Sequence, residues 1–469
     1  MSKRFYAHTR GGSMATACIT QLRFEDEIFL KPVTVAFDQE YASSDGGLLL
    51  LKALDTRLGV TATLAGGLRD GRQPGKIQHS VLDLVRQRVF GLALGYADCH
   101  DAARLADDPL HKLALDRDPL TGAPLGSQPT LSRFENAISR PALGRMLHGV
   151  ADTVIAMHRR RLGRRRVRRI TIDLDPTEDP THGQQELSFF SGHYGSWHYL
   201  PLLATLTFNA ETEQYLVGAV LRPGNSGAQG TLGLLRRLFG KLHRAFPRAQ
   251  LRVRLDGGFA GNPLLDFLEA AGIEYVVALG SNARLTKRVR RLLGRARQQH
   301  RATGAAVALF GETRYAARRW SHRRRVIMKA EVVVHPGRPP KNNPRFVVTN
   351  LALTPAHVYQ VYRARGDMEN RIKELKLGLA LDRTSCSRFQ ANAFRVLLTV
   401  AAYVLFQELR RRAARTTCAD AQVWTLRDRL LKVAAWVQRS VRRIVVHLPR
   451  TFPWQATWQR LACAVGATA

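Results

Sequence analysis

Acidic residues are scarce in this chain of 469: 37 Asp and Glu stand against 72 Lys and Arg, a formal net charge of +35. A chain so short of acids repels itself unless it works against a polyanion, which makes nucleic acid the implied partner. Cysteine is sparse as well. Cys18, Cys99, Cys386, Cys418 and Cys463 are odd in number and scattered, with no short paired spacing, which argues against a disulfide framework and against a zinc site. Long apolar runs are missing too. The longest, 396–406, is too short to cross a bilayer, and the opening MSKRFYAHTRGG has no apolar signal-peptide region. The expected setting is therefore cytoplasmic, associated with the nucleoid, with no membrane.

What the chain does have is a hydrophobic content of 45%, enough for two or three domains with a substantial core. Residues 1–36 show no strong periodicity and read as an N-terminal arm. From 37 to 165 helical patterns dominate, in SSDGGLLLLKALDTRL, HSVLDLVRQRVFGLALGY and PTLSRFENAIS. This is expected to be a helical N-terminal domain that binds DNA ends, although no helix-turn-helix is evident. The cluster Ser127, Gln128, Pro129 and Thr130 reads as a helix start. HRRRLGRRRVRR at 158–169 is the densest basic run and suits phosphates.

Segment 166–280 alternates strands and helices. Residues 167–175 form a strand with Ile170, Ile172 and Leu174 on one face and Asp173 and Asp175 on the other, closed by Pro176. Runs 198–209 and 214–222 read as a hairpin turning through 210–213, 232–245 as a basic amphipathic helix, and 251–256 as a strand ending at Asp256 before Gly257 and Gly258. A short helix at 262–271 and a buried strand at 273–279 complete the unit. The order strand, strand, strand, helix, strand, helix, strand predicts an α/β, ribonuclease H-like mixed sheet whose first and fourth strands are neighbours. Asp175 and Asp256 then meet. Residues 281–350 read as a β-rich insertion with a Pro-rich turn at 336–344. Residues 351–410 return to the core as its last helices, including a buried helix at 394–409. Residues 411–469 read as a helical C-terminal region, helical to about 438 with one short strand at 441–447.

The most informative stretch is YRARGDMENRIKELK at 362–376, which propensity makes a single helix between Pro355 and Gly378. At 100° per residue, Tyr362, Arg365, Glu369 and Lys376 fall within an arc of about 60°. Val361, Met368, Ile372, Leu375 and Leu379 form the apolar stripe beside them. Glu369 with Lys373 could be an ordinary surface pair; two remote aspartates give it another reading. Three carboxylates gathered by a sheet and a helix are the hard oxygen ligands that Mg²⁺ requires. Two such ions, or Mn²⁺ in their place, serve displacement at phosphorus. Asp175 would bridge the ions, with Asp256 and Glu369 completing one each. Asp173 is the alternative first acid. Arg365 and Lys376 would hold phosphates, and Tyr362 would contact the strand near the reacting bond. Trp320, within RRWSHRRR, could stack on an unpaired base or simply cover local apolar surface.

The spacing Tyr-x2-Arg-x3-Glu-x6-Lys resembles the signature around the last acid of many bacterial insertion-sequence transposases. Together with Asp175 in DLDPT and Asp256 in RLDGGFA it is similar to the acidic triad of DDE transposases. SDGGLLLL, GYADCHDA and SQPTLSRFEN resemble the family called DDE domain, group 1, with Ala97 standing where relatives would carry an acid. The resemblance implies an endonuclease and strand-transfer enzyme that cuts the ends of double-stranded transposon DNA and joins them to target DNA, working as a homodimer in a synaptic complex. It favours Asp175 over Asp173, because Pro176 and Thr177 complete an Asp-x-Thr pattern. By analogy, second-strand release could pass through a hairpin, with Trp320 as wedge. Two other readings stand beside it: another ribonuclease H-like nuclease without strand transfer, and a catalytically inactive DNA-binding relative.

Overall fold

A computed structural model describes residues 21–24, 29–192, 194–228 and 230–468. Its centre is a nine-stranded mixed sheet. In chain order the strands are β1 (Arg169–Pro176), β2 (Leu202–Phe208), β3 (Tyr215–Val220), β4 (Gln250–Leu255), β5 (Glu274–Leu279), β6 (Val307–Tyr315), β7 (Arg324–His335), β8 (Arg338–Asn342) and β9 (Arg345–Thr349). Across the sheet they run β6-β7-β9-β5-β4-β1-β2-β3, with β8 paired to β7.

Strands β1, β2 and β3 form an antiparallel meander, whereas β4 lies parallel to β1 and β5 parallel to β4. The expected adjacency of first and fourth strands is therefore observed. Register then fixes the acids: Arg254 is level with Asp173, so the chain two residues further on brings Asp256 level with Asp175. The strands of 281–350 continue the same sheet through β9, which runs antiparallel to β5.

Helices in the article's order are α1 (Val81–Leu94), α2 (Arg140–Leu162), α3 (Thr231–Ala245), α4 (Ala283–Thr303), α5 (Pro355–Arg363), α6 (Asp367–Lys373) and α7 (Phe389–Arg412). Helix α1 starts at a capping box in which Ser80 accepts from the Asp83 N–H and Asp83 returns the bond to Ser80; it stops at Gly95 with φ 94°. Ser127 caps the helix Gln128–Asn136, as expected. Helices α2 and α7 pack on β3, and α7 also packs on α1. One apolar core runs through helices and sheet from Leu48 to Val465.

Several local expectations are corrected. The predicted strand 198–209 is split at Pro201, which cannot donate a ladder hydrogen bond; Ser196–Tyr199 joins a small sheet with 179–180 and 189–191 instead. The Pro-rich stretch at 336–344 is not only a turn, since Arg338–Asn342 pairs as an exposed flanking strand. The C-terminal region is not helical up to 438: Ala435–Arg439 and Ile444–His447 form a sheet with Ala42–Ser43, followed by a helix at Gln455–Ala464. Apolar length was also underestimated. Helix α7 is long and apolar enough to cross a membrane by length and composition, yet 89% of its most apolar window is buried inside the protein. The arm reading concerns residues largely outside those described.

Candidate functional site

The carboxylates at the C-terminal ends of β1 and β4 are organised by one guanidinium. Arg365 places Nη2 at 2.6 Å from Asp175 Oδ1 and 3.9 Å from Asp256 Oδ2. Asp175 is nearly buried, while Asp256 and Arg365 are half-buried. One Asp256 oxygen accepts the Gly258 N–H at 2.9 Å, which closes the turn after β4. Glu369 lies four residues beyond Arg365, exposed on the first turn of α6. Its charge reaches the same place. Burial pushes the Asp175 carboxyl up to about 7, with Asp256, Asp173 and Glu369 adding to the rise and Arg365 opposing it.

The other predicted residues divide. Tyr362 is half-buried beside Tyr359 with ring centroids 5.9 Å apart; burial raises its phenol, and the charges of Asp256 and Asp175 add to that. Lys376 lies 3.9 Å from Asp382. Asp173 is fully buried and already engaged: Arg254 donates to both its oxygens at 2.7 Å, and Gln214 adds a third bond at 3.0 Å. Arg254 also donates to the Val361 carbonyl at 3.0 Å, so Asp173 ties β1 and β4 to the end of α5. Trp320 donates its indole N–H to the Ala260 carbonyl at 3.1 Å, and its ring meets Tyr315 and the Arg324 guanidinium. That contact braces the turn following Asp256.

The polar helix departs from the single α-helix predicted. After α5 the chain tightens into a 3-10 turn at Ala364–Gly366, resumes as α6 and widens into a π turn at Glu374–Gly378. Gly366 weakens the helix at the tight turn. At the wide turn, Glu374 is buried and accepts from Tyr403, Arg410 and the Val423 N–H. A Cβ on Gly378 would lie 2.8 Å from Val423 Cγ1. Met368 holds α6 to the sheet, accepting from the Thr205 hydroxyl at 3.4 Å. The uniform 100° step therefore does not describe how the four polar residues are arrayed.

Sequence reasoning missed Arg252 and Arg254. Two arginines alternating along a strand read as a solvent face, but both are buried, Arg252 against Glu274 and Arg254 against Asp173. The available signal was their alternation with Leu251, Val253 and Leu255 just ahead of Asp256. Tyr194, on the small sheet after β1, and Arg222, after β3, also stand near Asp256: burial and nearby acids including Asp256 raise the Tyr194 phenol, and burial lowers Arg222 to about 10.

A second acidic group needs separating from this one. Asp266, Glu269 and His322 bring ligand atoms within 4.8 Å of one another. Both carboxylates are, however, bound to the buried Arg324 guanidinium, Asp266 at 2.5 Å and Glu269 at 2.9 Å. A cation already occupies the group as a fixed part of the fold, so a metal does not fit there. At Asp175 and Asp256 the compensating cation is Arg365, and its Nε is buried without a hydrogen-bond partner. This guanidinium stands in for positive charge that the carboxylates demand, and its unsatisfied donor marks it as incompletely housed.

The family model described as Transposase DDE domain group 1 matches residues 26–467. No curated protein matches the sequence. Among solved structures, a cryo-EM structure of a piggyBac transposase synaptic complex with hairpin DNA is similar at 10% identity and a TM-score of 0.38, covering 77% of this chain and 75% of that one. A likeness of that size assigns no residue.

Proposed function

The chain belongs to the transposase DDE domain group 1 family, and from that premise we propose that it cuts the ends of its own element and joins them to target DNA, with Asp175, Asp256 and Glu369 as the catalytic carboxylates. The observation that carries the reading is the shared Arg365 guanidinium, which reaches both aspartates across the ends of parallel neighbouring strands. The strand order β3-β2-β1-β4-β5 supports a ribonuclease H-like core, with 281–350 as its insertion and 37–165 as the part that meets DNA ends.

The donor set fits hard divalent cations: three carboxylates, two of them accessible, with no thiol or imidazole required. Asp175, Asp256 and Glu369 would hold two Mg²⁺, or Mn²⁺, whose chemistry is to activate the attacking oxygen and stabilise the leaving one. Asp175 sits between the other two and is the bridging ligand. Asp173 is excluded from that role in our reading because its oxygens are committed to Arg254 and Gln214. Arg365, once released from Asp175, has its Nε and Nη donors free for a phosphate, where a planar guanidinium binds in bidentate fashion. Tyr362 lines the approach, and Lys376 adds positive charge further along the same segment. The basic run 158–169 and the overall charge hold duplex DNA through its backbone. Two subunits in a synaptic complex, acting in the cytoplasm on the nucleoid, complete the proposal.

The test uses linear DNA carrying the inverted repeats that flank the coding sequence. With Mg²⁺ the purified chain should nick at the repeat ends, leave 3′ hydroxyls and transfer them to a second duplex; with EDTA it should bind without cutting. Cutting without transfer would leave a ribonuclease H-like nuclease. Salt-sensitive binding without cutting in either buffer would leave an inactive relative.

A further inference from the structure

Strands Gln21–Phe24 and Val33–Ala36 make a ribbon that pairs with no other strand among the described residues. Leu22 lies opposite Val35 and Phe24 opposite Val33, while Gln21 faces Ala36 and Arg23 faces Thr34. Side chains alternate along a strand, so the ribbon has one apolar face, Leu22, Phe24, Val33 and Val35, and one more polar face. The apolar face is bare, with exposures of 53%, 42%, 37% and 37% in that order. A two-stranded ribbon alone in water is marginal, and a contiguous apolar patch left uncovered marks a contact site. The root of the ribbon is fixed, because the Tyr41 carbonyl accepts the Val437 N–H at 2.9 Å and Ala42–Ser43 pairs with Ala435–Trp436.

We propose that this ribbon docks on a second copy of the chain. Charge selects the partner. Between 21 and 41, Glu25, Asp26, Glu27, Asp38 and Glu40 outnumber Arg23 and Lys31, in a chain whose net charge is +35. DNA repels an acidic ribbon, whereas a strongly basic protein surface attracts it, and another copy supplies that surface wherever the protein is present. Apolar burial supplies the affinity and opposite charge the approach. The contact forms without DNA and does not rest on the assignment of the carboxylates.

The experiment is sedimentation of the full chain without DNA at about 10 µM, where a micromolar contact is mostly assembled. The wild type should be a dimer that loosens as salt rises. Leu22→Ser with Phe24→Ser should give monomer. Asp38→Lys with Glu40→Lys keeps the apolar face and should weaken the dimer at least tenfold. Both variants should retain the wild-type circular dichroism and thermal transition, since the core from Leu48 onward is untouched. A monomeric wild type overturns the proposal, as does a dimer indifferent to both variants. Unchanged mass with weakened DNA binding would make DNA the occupant and overturn it equally.

Discussion

Arg365 and Asp175, 190 residues apart in sequence, are joined by a bond of 2.6 Å from Nη2 to Oδ1. In the metal-free chain that guanidinium occupies the mouth of the acidic site. Arg365→Gln should therefore tighten Mn²⁺ binding in the absence of DNA by roughly tenfold, since a unit charge a few ångströms away is worth about 1–4 kcal/mol at effective dielectric constants between water and protein surface. The same variant should cut DNA poorly, having lost a phosphate donor. Electron paramagnetic resonance of free Mn²⁺ measures the first effect; unchanged or weaker binding would show that Arg365 and the metal do not compete.

Asp173 and Asp175 share a strand and differ in what they touch, so their substitutions should fail differently. Asp173→Asn leaves the buried Arg254 without its carboxylate. Breaking one partner of a buried pair costs roughly 3–5 kcal/mol, and a thermal melt should show it. Asp175→Asn should stay folded and bind DNA while losing cleavage. Equal stability of the two variants would refute the bracing role of Asp173.

The pH dependence of stability follows from the sign of the Asp175 shift. Its carboxyl is raised, mainly by burial, to about 7 from an ordinary value of 3.8. Between those values the folded chain holds a proton that the unfolded chain has released, so in metal-free buffer stability falls as pH rises through the window. Asp175→Asn removes the loss. Its melting temperature in EDTA should exceed that of wild type at pH 8, by an amount corresponding to roughly 2–4 kcal/mol before the lost ion pair is deducted, with the gap closing towards pH 4. Parallel curves across that range would contradict the assignment.

The alternation of Ile170, Ile172 and Leu174 with Asp173 and Asp175, and the acid closing the strand before Gly257, were legible because side-chain period and turn chemistry are local. The neighbouring of β1 and β4 was legible only through topology, since nothing local joins residues so distant in sequence. The breaks in the polar helix were not legible. They depend on Tyr403, Arg410 and Val423 satisfying Glu374 from segments far along the chain, and helix propensity carries no trace of such partners. Burial of Arg254 was hidden for the same reason: a charged residue inside a strand reads as exposed until its partner is located. The split at Pro201, by contrast, was available from the missing N–H alone.

The most direct test is anomalous diffraction from Mn²⁺ in crystals of the chain bound to DNA carrying its terminal repeats. The account predicts two peaks about 3.5–4 Å apart, coordinated by Asp175, Asp256 and Glu369, with Arg365 moved from Asp175 onto a phosphate. Peaks found only at Asp266 and Glu269, or an Arg365–Asp175 bond persisting in the metal- and DNA-bound state, would contradict it.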